Sequence, residues 1–530
     1  MTKEENQKGF WQGALLLTAV ALFMKVLSVG YRIPYQNITG DIGFYVYQQI
    51  YPFYSIAIIL ATYGFPVVIS RLISEEIAKS EYEKAEELSR YSFYVLVILG
   101  ITGFILLYTG APTVAALMED RNLIGPLRMT AFSFLIMPGI ASIRGFFQGQ
   151  ENVVPTAWSQ VTEQSIRVIA ILAISIGLVA GGADAYATGT GAALGSILGG
   201  VAALLLLVVL RFKKRVAKIT KIKFESFRFI SIARRLLTEG TLICVSALVL
   251  VLFQLMDALT IVPGLTEHGL SSLEAREMKG VFDRGQPLMQ VGTVLATSLS
   301  LSIVPVISKA AAESNEILIR EKAALALKVS FVIGLAAAAG LTIIMSETNM
   351  MLFKDQSLSA TLSILAIAIF FSSLSMTAAG VLQGVGLARN AARYAGIGIL
   401  VKGLLNLILI PLIGINGAAV TTVFGFVVVA TLAILAVYYK VRLLQYQFHL
   451  GRAVTAVMFM SAAVISLQLF IPSFHSRGLS SVSALGGALL GGIVFGFATL
   501  ALRVFTEKEL TQLPKGEIIT IYQNKLRRGA

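Results

Sequence analysis

Charge is what this 530-residue chain has least of. Charged residues make up 14% of it, against about 25% in an ordinary soluble domain, while hydrophobic residues make up 56%. Too little polar surface remains to cover the roughly two to four soluble cores that such a length would otherwise build. Cysteine occurs once, at Cys244 inside an apolar run, which excludes an internal disulfide and a cysteine-based zinc cluster. Histidine occurs three times, at His268, His449 and His475. These are far apart and each lies near a loop, so neither a metal site nor a cofactor is expected. No phosphate-binding Gly-Lys-Ser/Thr loop is present, so ATP is not expected as the energy source. Acids are few beside bases, 29 against 43, for a net charge of +14. The bases concentrate in particular loops, a pattern that fits anionic lipid on one membrane face and argues against nucleic acid.

What is present is a succession of long apolar runs. A hydrocarbon core of about 30 Å takes about 20 apolar residues of helix. Runs of that kind lie near 10–33, 43–70, 91–118, 125–147, 155–181 and 184–210. They resume near 236–262, 286–308, 325–347, 358–384, 388–413, 416–439, 450–472 and 482–505. The expected fold is an all-α polytopic membrane protein of about fourteen spans. No cleavable signal peptide is expected, because residues 1–9 are polar and the first run is long enough to stay as a span.

The loops give an orientation. Segment 71–90 carries Arg71, Lys79, Lys84 and Arg90, and segment 211–235 carries ten bases against the single acid Glu225. The tail adds Lys508, Lys515, Lys525, Arg527 and Arg528, whereas 182–183 and 414–415 carry no Lys or Arg. Both termini are therefore expected on the cytoplasmic side. Segment 211–235 reads as a solvated linker or as an interfacial amphipathic helix with Phe224, Phe227 and Phe229 among headgroups. It divides the chain into an N-lobe (1–210) and a C-lobe (236–445), followed by 446–530 with two further spans and the tail. Gly145-Phe146-Phe147-Gln148-Gly149 ends the fourth span and Gly380-Val381-Leu382-Gln383-Gly384 ends the tenth, 235 residues on. Two six-helix lobes of like orientation, related as a parallel repeat, are expected.

A charge placed mid-span costs roughly 2.5–3.5 kcal/mol on insertion scales, so such residues face a bundle interior or a wet cavity. Lys25, Ser28 and Arg32 share one face of span one. Arg32 is close enough to the outer end to snorkel; Lys25 is not. Span five carries the stripe Gln160, Glu163, Gln164 and Arg167, read either as substrate contact or as an intrahelical Glu163–Arg167 pair. In span seven, Asp257 is a candidate for a coupling ion or for pairing with a base of another span. Arg284 opens span eight, followed by Gln286, Gln290, Thr293, Thr297 and Ser300 on a face that is either hydrated or bonded to a neighbouring helix. Lys402 and Asn406 repeat the pattern in span eleven. Deep cations outnumber deep acids, and a cavity walled by Lys25, Arg32, Arg284 and Lys402 suits an anion such as phosphate or pyrophosphate.

The blocks Lys25-Val26-Leu27 to Tyr31-Arg32-Ile33-Pro34, Tyr47-Gln48-Gln49-Ile50-Tyr51-Pro52, Gly64-Phe65-Pro66 to Ile69-Ser70-Arg71 and Arg144-Gly145-Phe146-Phe147-Gln148-Gly149 have a family likeness. So do Pro155-Thr156-Ala157 with Ser159-Gln160 and Glu163-Gln164 to Arg167, and Arg284-Gly285-Gln286-Pro287-Leu288 with Ala296-Thr297-Ser298-Leu299. Through them the chain resembles the polysaccharide-transporter branch of the multidrug/oligosaccharidyl-lipid/polysaccharide (MOP) flippase superfamily, in its stage V sporulation protein B-like and lipid II flippase-like group. The resemblance implies two six-helix lobes around a central cavity and a lipid-tail groove formed by the last two helices. It also implies a cargo of undecaprenyl-pyrophosphate-linked saccharide and essential bases in spans one and eight, here Lys25, Arg32 and Arg284. Some relatives carry an arginine in span two, where this chain has Tyr47, Gln48, Gln49 and Tyr54 and no arginine.

The expectation is an alternating-access flippase of the bacterial cytoplasmic membrane, not an enzyme. Its substrate set would be Lys25, Arg32, Gln160, Glu163, Arg167, Arg284, Gln286, Gln290, Thr297 and Lys402, with Asp257 as the ion-coupling candidate. The expected partners are the lipid-linked saccharide, anionic lipids and cell-wall synthesis proteins. A cation-coupled multidrug exporter of the same superfamily is the alternative, although it would want acids in its cavity. A membrane enzyme acting on prenyl-linked sugars is the other. Loop 263–285 offers it Glu267, His268, Glu274 and Asp283 without a catalytic spacing.

Overall fold

The computed structural model describes residues 26–213, 226–240, 248–443, 448–470 and 476–512, with single positions at 20, 23, 24, 243, 244, 516, 517, 520, 521 and 523. The described residues are helices joined by short turns, with no strand among them. Twelve of these helices are long and apolar enough to cross a membrane, beside the fourteen spans expected. One of them, Val26–Ala78, runs 53 residues, about 80 Å at 1.5 Å per residue. It is interrupted at Gly40, whose φ of 70° and ψ of −174° suit glycine alone. That break separates the end of span one from the start of span two. The chain forms two compact units: Met1–Asp283 with Lys402–Gly414, and Arg284–Val401 with Ile415–Ala530.

In the first unit α1 (Arg32–Ile59) is followed by a π-helical turn, Leu60–Gly64, and α2 (Phe65–Ala78). The wide turn sits where Pro66 has no N–H to give to the carbonyl of Thr62. Then come α3 (Tyr82–Leu117), α4 (Ile124–Ala131), α5 (Ser133–Gly149), α6 (Val154–Ala180) and α7 (Ala185–Lys213). Phe65, Ile69, Leu72 and Ile73 pack with Leu96, Met137, Ile140, Phe146 and Phe147 in one core.

Part of the expected basic linker is helical: α8 (Ser226–Arg235) lays Ile232 and Phe229 on that core. Arg228 pairs with Glu87 there, and Arg211 with Glu86. Phe224 and the Phe227 side chain lie outside the described residues. α9 (Val249–Glu267) and α10 (Ser272–Asp283) complete the unit with residues 402–414. At the loop end of the unit Asp120 accepts from Tyr186 at 2.7 Å and Tyr45 at 3.2 Å, and Arg276 of α10 lies 3.5 Å away.

The second unit holds α11 (Gly285–Ala312), α12 (Glu316–Ile343), α13 (Met345–Phe353), α14 (Ser359–Gly384) and the first part of α15 (Ala388–Ile413). α16 (Ile415–Val441), α17 (Leu450–Phe470), α18 (Arg477–Ala501) and the short α19 (Glu507–Thr511) follow. Thr506 and Glu509 cap α19 reciprocally. The Glu509 carboxylate then takes the buried Lys328 Nζ, at 2.8 and 3.0 Å. The tail bases Lys515, Lys525, Arg527 and Arg528 lie outside the described residues.

The two five-residue motifs play one packing role. A methyl placed on Gly149 would stand 2.7 Å from Ile73 and 2.9 Å from the Ser70 carbonyl oxygen. One on Gly384 would stand 2.8 Å from Ile307 and 3.3 Å from the Val304 carbonyl oxygen. In both units, then, the motif glycine lies against an isoleucine and the carbonyl three residues before it. Gly149→Ala and Gly384→Ala should each destabilise by about 1–3 kcal/mol through overpacking. Gly396→Ala, in open space on α15, should be neutral or stabilise by up to about 1 kcal/mol. Thermal unfolding in detergent distinguishes the two signs.

Candidate functional site

The site begins at the Gly40 break, which brings the end of span one against span two. Tyr47, Tyr51 and Tyr54 recur at helical spacing on one face of α1. Tyr31 meets Tyr47 edge to face, with centroids 6.2 Å apart, and the two hydroxyls hydrogen-bond. Tyr35 packs on Tyr47 at 5.0 Å. Into this nest α6 sends Arg167, whose Nη2 donates to the Tyr31 and Tyr47 hydroxyls at 2.9 Å each. Its guanidinium carbon stands 4.5 Å from the Tyr54 ring centre and 5.7 Å from that of Tyr51.

Arg32 shares the Tyr51 ring, at 4.2 Å, and is 0% exposed. All three of its guanidinium nitrogens lack a hydrogen-bond partner among the described residues. So do Arg167 Nε, the Tyr54 hydroxyl and Gln164 Nε2. Neither arginine has a carboxylate within 4 Å among the described residues. Asp283, the last residue of α10, already gives both oxygens to Lys279 at 2.6 Å. Contact with an aromatic face contributes about 2 kcal/mol to a desolvated cation, less than the several kcal/mol lost on taking such an ion out of water. Two buried cations with free donors have the charge and the N–H groups that an anion accepts from. The crevice beside them, lined by Tyr47, Tyr51, Tyr54, Thr130 and Ser196, holds about 10 Å³, room for about one water. In this form the site is closed.

Other buried bases among the described residues are paired with acids. Glu163 takes Arg144 Nη2 of α5 at 2.8 Å, not its helix neighbour Arg167. Arg144 also donates to Thr62 in the π-helical turn and to Ser159, both at 2.9 Å. The intrahelical Glu163–Arg167 pair suggested by spacing therefore gives way to a pair across helices. Lys402 Nζ lies 2.7 Å from Asp257 Oδ2 and 3.2 Å from the Phe253 carbonyl, while Asn406 Nδ2 donates to Asp257 Oδ1 at 3.4 Å. Asp257 thus pairs with a base of another span, one of the two roles its position allowed.

In the second unit Arg284 is buried, donates to Asp355 at 2.7 Å and faces the Phe353 ring at 5.3 Å. Burial works to raise the Asp355 carboxyl, but the hydrogen bonds from Arg284 and Ser357 outweigh it and hold it below the usual carboxylate range. Gln160 and Gln286 are buried, and Gln290 is half-buried. Lys25 and the Thr297 side chain lie outside the described residues.

Sequence reasoning singled out Arg32 and Arg167 but gave no site role to Arg144, Lys279 or Lys328. Arg144 was visible in the span-four motif as a base within an apolar run, and Lys328 likewise inside span nine.

A buried pair broken on one side leaves a charge without compensation. Lys402→Met and Asp257→Leu should each destabilise by about 3–5 kcal/mol, and the double variant should recover most of that loss. A thermal-unfolding double-mutant cycle in detergent measures this. Additive losses would remove the pair from the account.

Over residues 10–311 the chain matches the family described as polysaccharide biosynthesis protein. The membrane protein YabM of Bacillus subtilis (strain 168) is 37% identical over 519 residues, covering 97% of each chain. Lipid II flippase MurJ of the same organism is 24% identical over 518 residues, covering 91% of this chain and 94% of the other. A solved structure of lipid II flippase MurJ, in an inward closed conformation, matches the fold with a TM-score of 0.68 at 13% identity. That match covers 92% of this chain and 99% of the other. This multi-pass membrane protein belongs to the polysaccharide biosynthesis protein family, in the polysaccharide-transporter branch of the MOP flippase superfamily.

Proposed function

We propose that the protein is a flippase that carries a prenyl-pyrophosphate-linked saccharide across the bacterial cytoplasmic membrane by alternating access. The observation that carries this reading is the pair Arg32 and Arg167, two buried cations with donors to spare and no paired acid among the described residues. A pyrophosphate ester supplies the charge and the acceptors they lack, through charge-assisted hydrogen bonds about twice as strong as neutral ones. The stripe of Gln160 and Gln164 on the helix of Arg167 offers neutral groups for sugar hydroxyls. The prenyl tail stays in lipid while the headgroup crosses through water. The names of the related proteins point the same way: lipid II flippase and stage V sporulation protein B, the latter 25% identical over 522 residues.

The closed crevice belongs to one end of the cycle in this reading, because about 10 Å³ cannot admit a pyrophosphate. The six-span halves, 1–210 and 236–445, are the elements that alternate, with both termini on the cytoplasmic side as the loop bases require. Membrane potential or an ion gradient supplies the energy. The Lys402 ammonium already occupies Asp257, so a coupling cation would have to displace it.

Arg32→Ala and Arg167→Ala should each lower headgroup translocation by at least about tenfold, the scale of one lost charged hydrogen bond. The measure is headgroup accessibility in proteoliposomes carrying a defined prenyl-pyrophosphate saccharide, with complementation of a flippase-depleted strain as the cellular counterpart. Wild-type translocation by both variants, expressed at normal levels, would remove the anion grip.

A further inference from the structure

On α6 a glutamate stands one turn ahead of an arginine, the i, i+4 order that favours pairing along a helix. A Glu163–Arg167 pair would neutralise half of the anion site. The fold prevents it. Arg144 draws the Glu163 carboxylate to Nη2 at 2.8 Å, with side-chain exposures of 0% and 6%. Its other donors are tied to Thr62 and Ser159, so the π-helical turn, α5 and α6 together fix the guanidinium. Arg167 is left to uncharged tyrosine hydroxyls.

We infer that Arg144 is a specificity-determining positioning residue: by holding Glu163 away from Arg167 it keeps the Arg32–Arg167 cluster doubly cationic, and so selects a pyrophosphate headgroup over a neutral or cationic one. The inference rests on the anion site proposed above. Without Arg144, Glu163 is a buried carboxylate with no partner, and the cation nearest along its own helix is Arg167. A carboxylate accepts from a guanidinium more strongly than a neutral hydroxyl does, so Arg167 turns from the tyrosines to Glu163 and the cluster loses one unit of charge.

The test uses the full chain in detergent, with farnesyl pyrophosphate as the probe and thermal unfolding as the measure of fold. Arg144→Met should bind the probe at least about tenfold more weakly, and Arg144→Met with Glu163→Gln should return to within about threefold of wild type. Glu163→Gln alone should lower the unfolding temperature, because Arg144 is left unpaired, and should weaken binding far less than Arg144→Met does. A purely structural pair predicts a different pattern, in which either single change weakens binding alike. Should Arg144→Met fail to fold, Arg144→Gln keeps donors for Thr62 and Ser159 while losing the charge, and takes its place.

Unchanged affinity in the Arg144 variant overturns the inference, as does a double variant that is folded but still weak. Arg32→Met separates this inference from the reading beneath it. If Arg32→Met binds the probe like wild type, or wild type does not bind it at all, the anion site itself fails and the role of Arg144 falls with it. If Arg32→Met is weakened while Arg144→Met is not, the site stands and only the inference is lost.

Discussion

A cation inside an apolar bundle must find a carboxylate or an anion that visits, and this one requirement orders the polar interior of the protein. Five of its buried bases meet the first condition: Arg144 with Glu163, Lys402 with Asp257, Lys279 with Asp283, Arg284 with Asp355 and Lys328 with Glu509. Such pairs gain little over a well-packed apolar core, yet lose much when one partner goes. Arg144–Glu163 and Lys402–Asp257 tie one helix to another at fixed points, whereas Lys279–Asp283 closes along a single helix. Arg32 and Arg167 stand apart because tyrosines surround them where acids would be. Tyrosine rings soften the desolvation of a guanidinium without cancelling its charge. In the function proposed above, that charge is what the headgroup meets.

The tyrosine nest also explains how a site can grip and release. Phenol hydroxyls give Arg167 two hydrogen bonds with a charged donor and a neutral acceptor, each contributing about 1.5–3 kcal/mol net. Phosphate oxygens offer stronger acceptors for the same donors. Exchange between the two is then a matter of a few kcal/mol, within reach of a conformational cycle. Had Arg167 been paired with Glu163, a pyrophosphate would have had to displace a carboxylate, and the exchange would have been poorly balanced.

Much of the fold was legible from sequence, because a span needs about 20 apolar residues and announces itself by length. The recurrence of one packing motif was legible too. Gly149 and Gly384 recur because each lies against an isoleucine and a backbone carbonyl, a contact that no larger residue makes without displacement. Partner identity was not legible. Spacing along α6 offers Glu163 to Arg167, but Arg144 reaches it from another helix, and nothing in a local pattern reports which tertiary contact wins. Asp257 shows the same limit. A base on another span was foreseeable, whereas Lys402 in particular, 145 residues on, was not.

Span two supplies the last step. Its buried face carries tyrosines, and the second cation arrives from span five as Arg167. On α6 that charge stands one turn from Glu163, which brings a hazard of self-neutralisation. Arg144 at the end of span four, held by Thr62 from the widened turn of span two, answers that hazard. The tyrosine nest, the π-helical turn ahead of Pro66 and the Arg144–Glu163 pair are on this view one device. Each part is explained by the need to keep two positive charges together in a low dielectric.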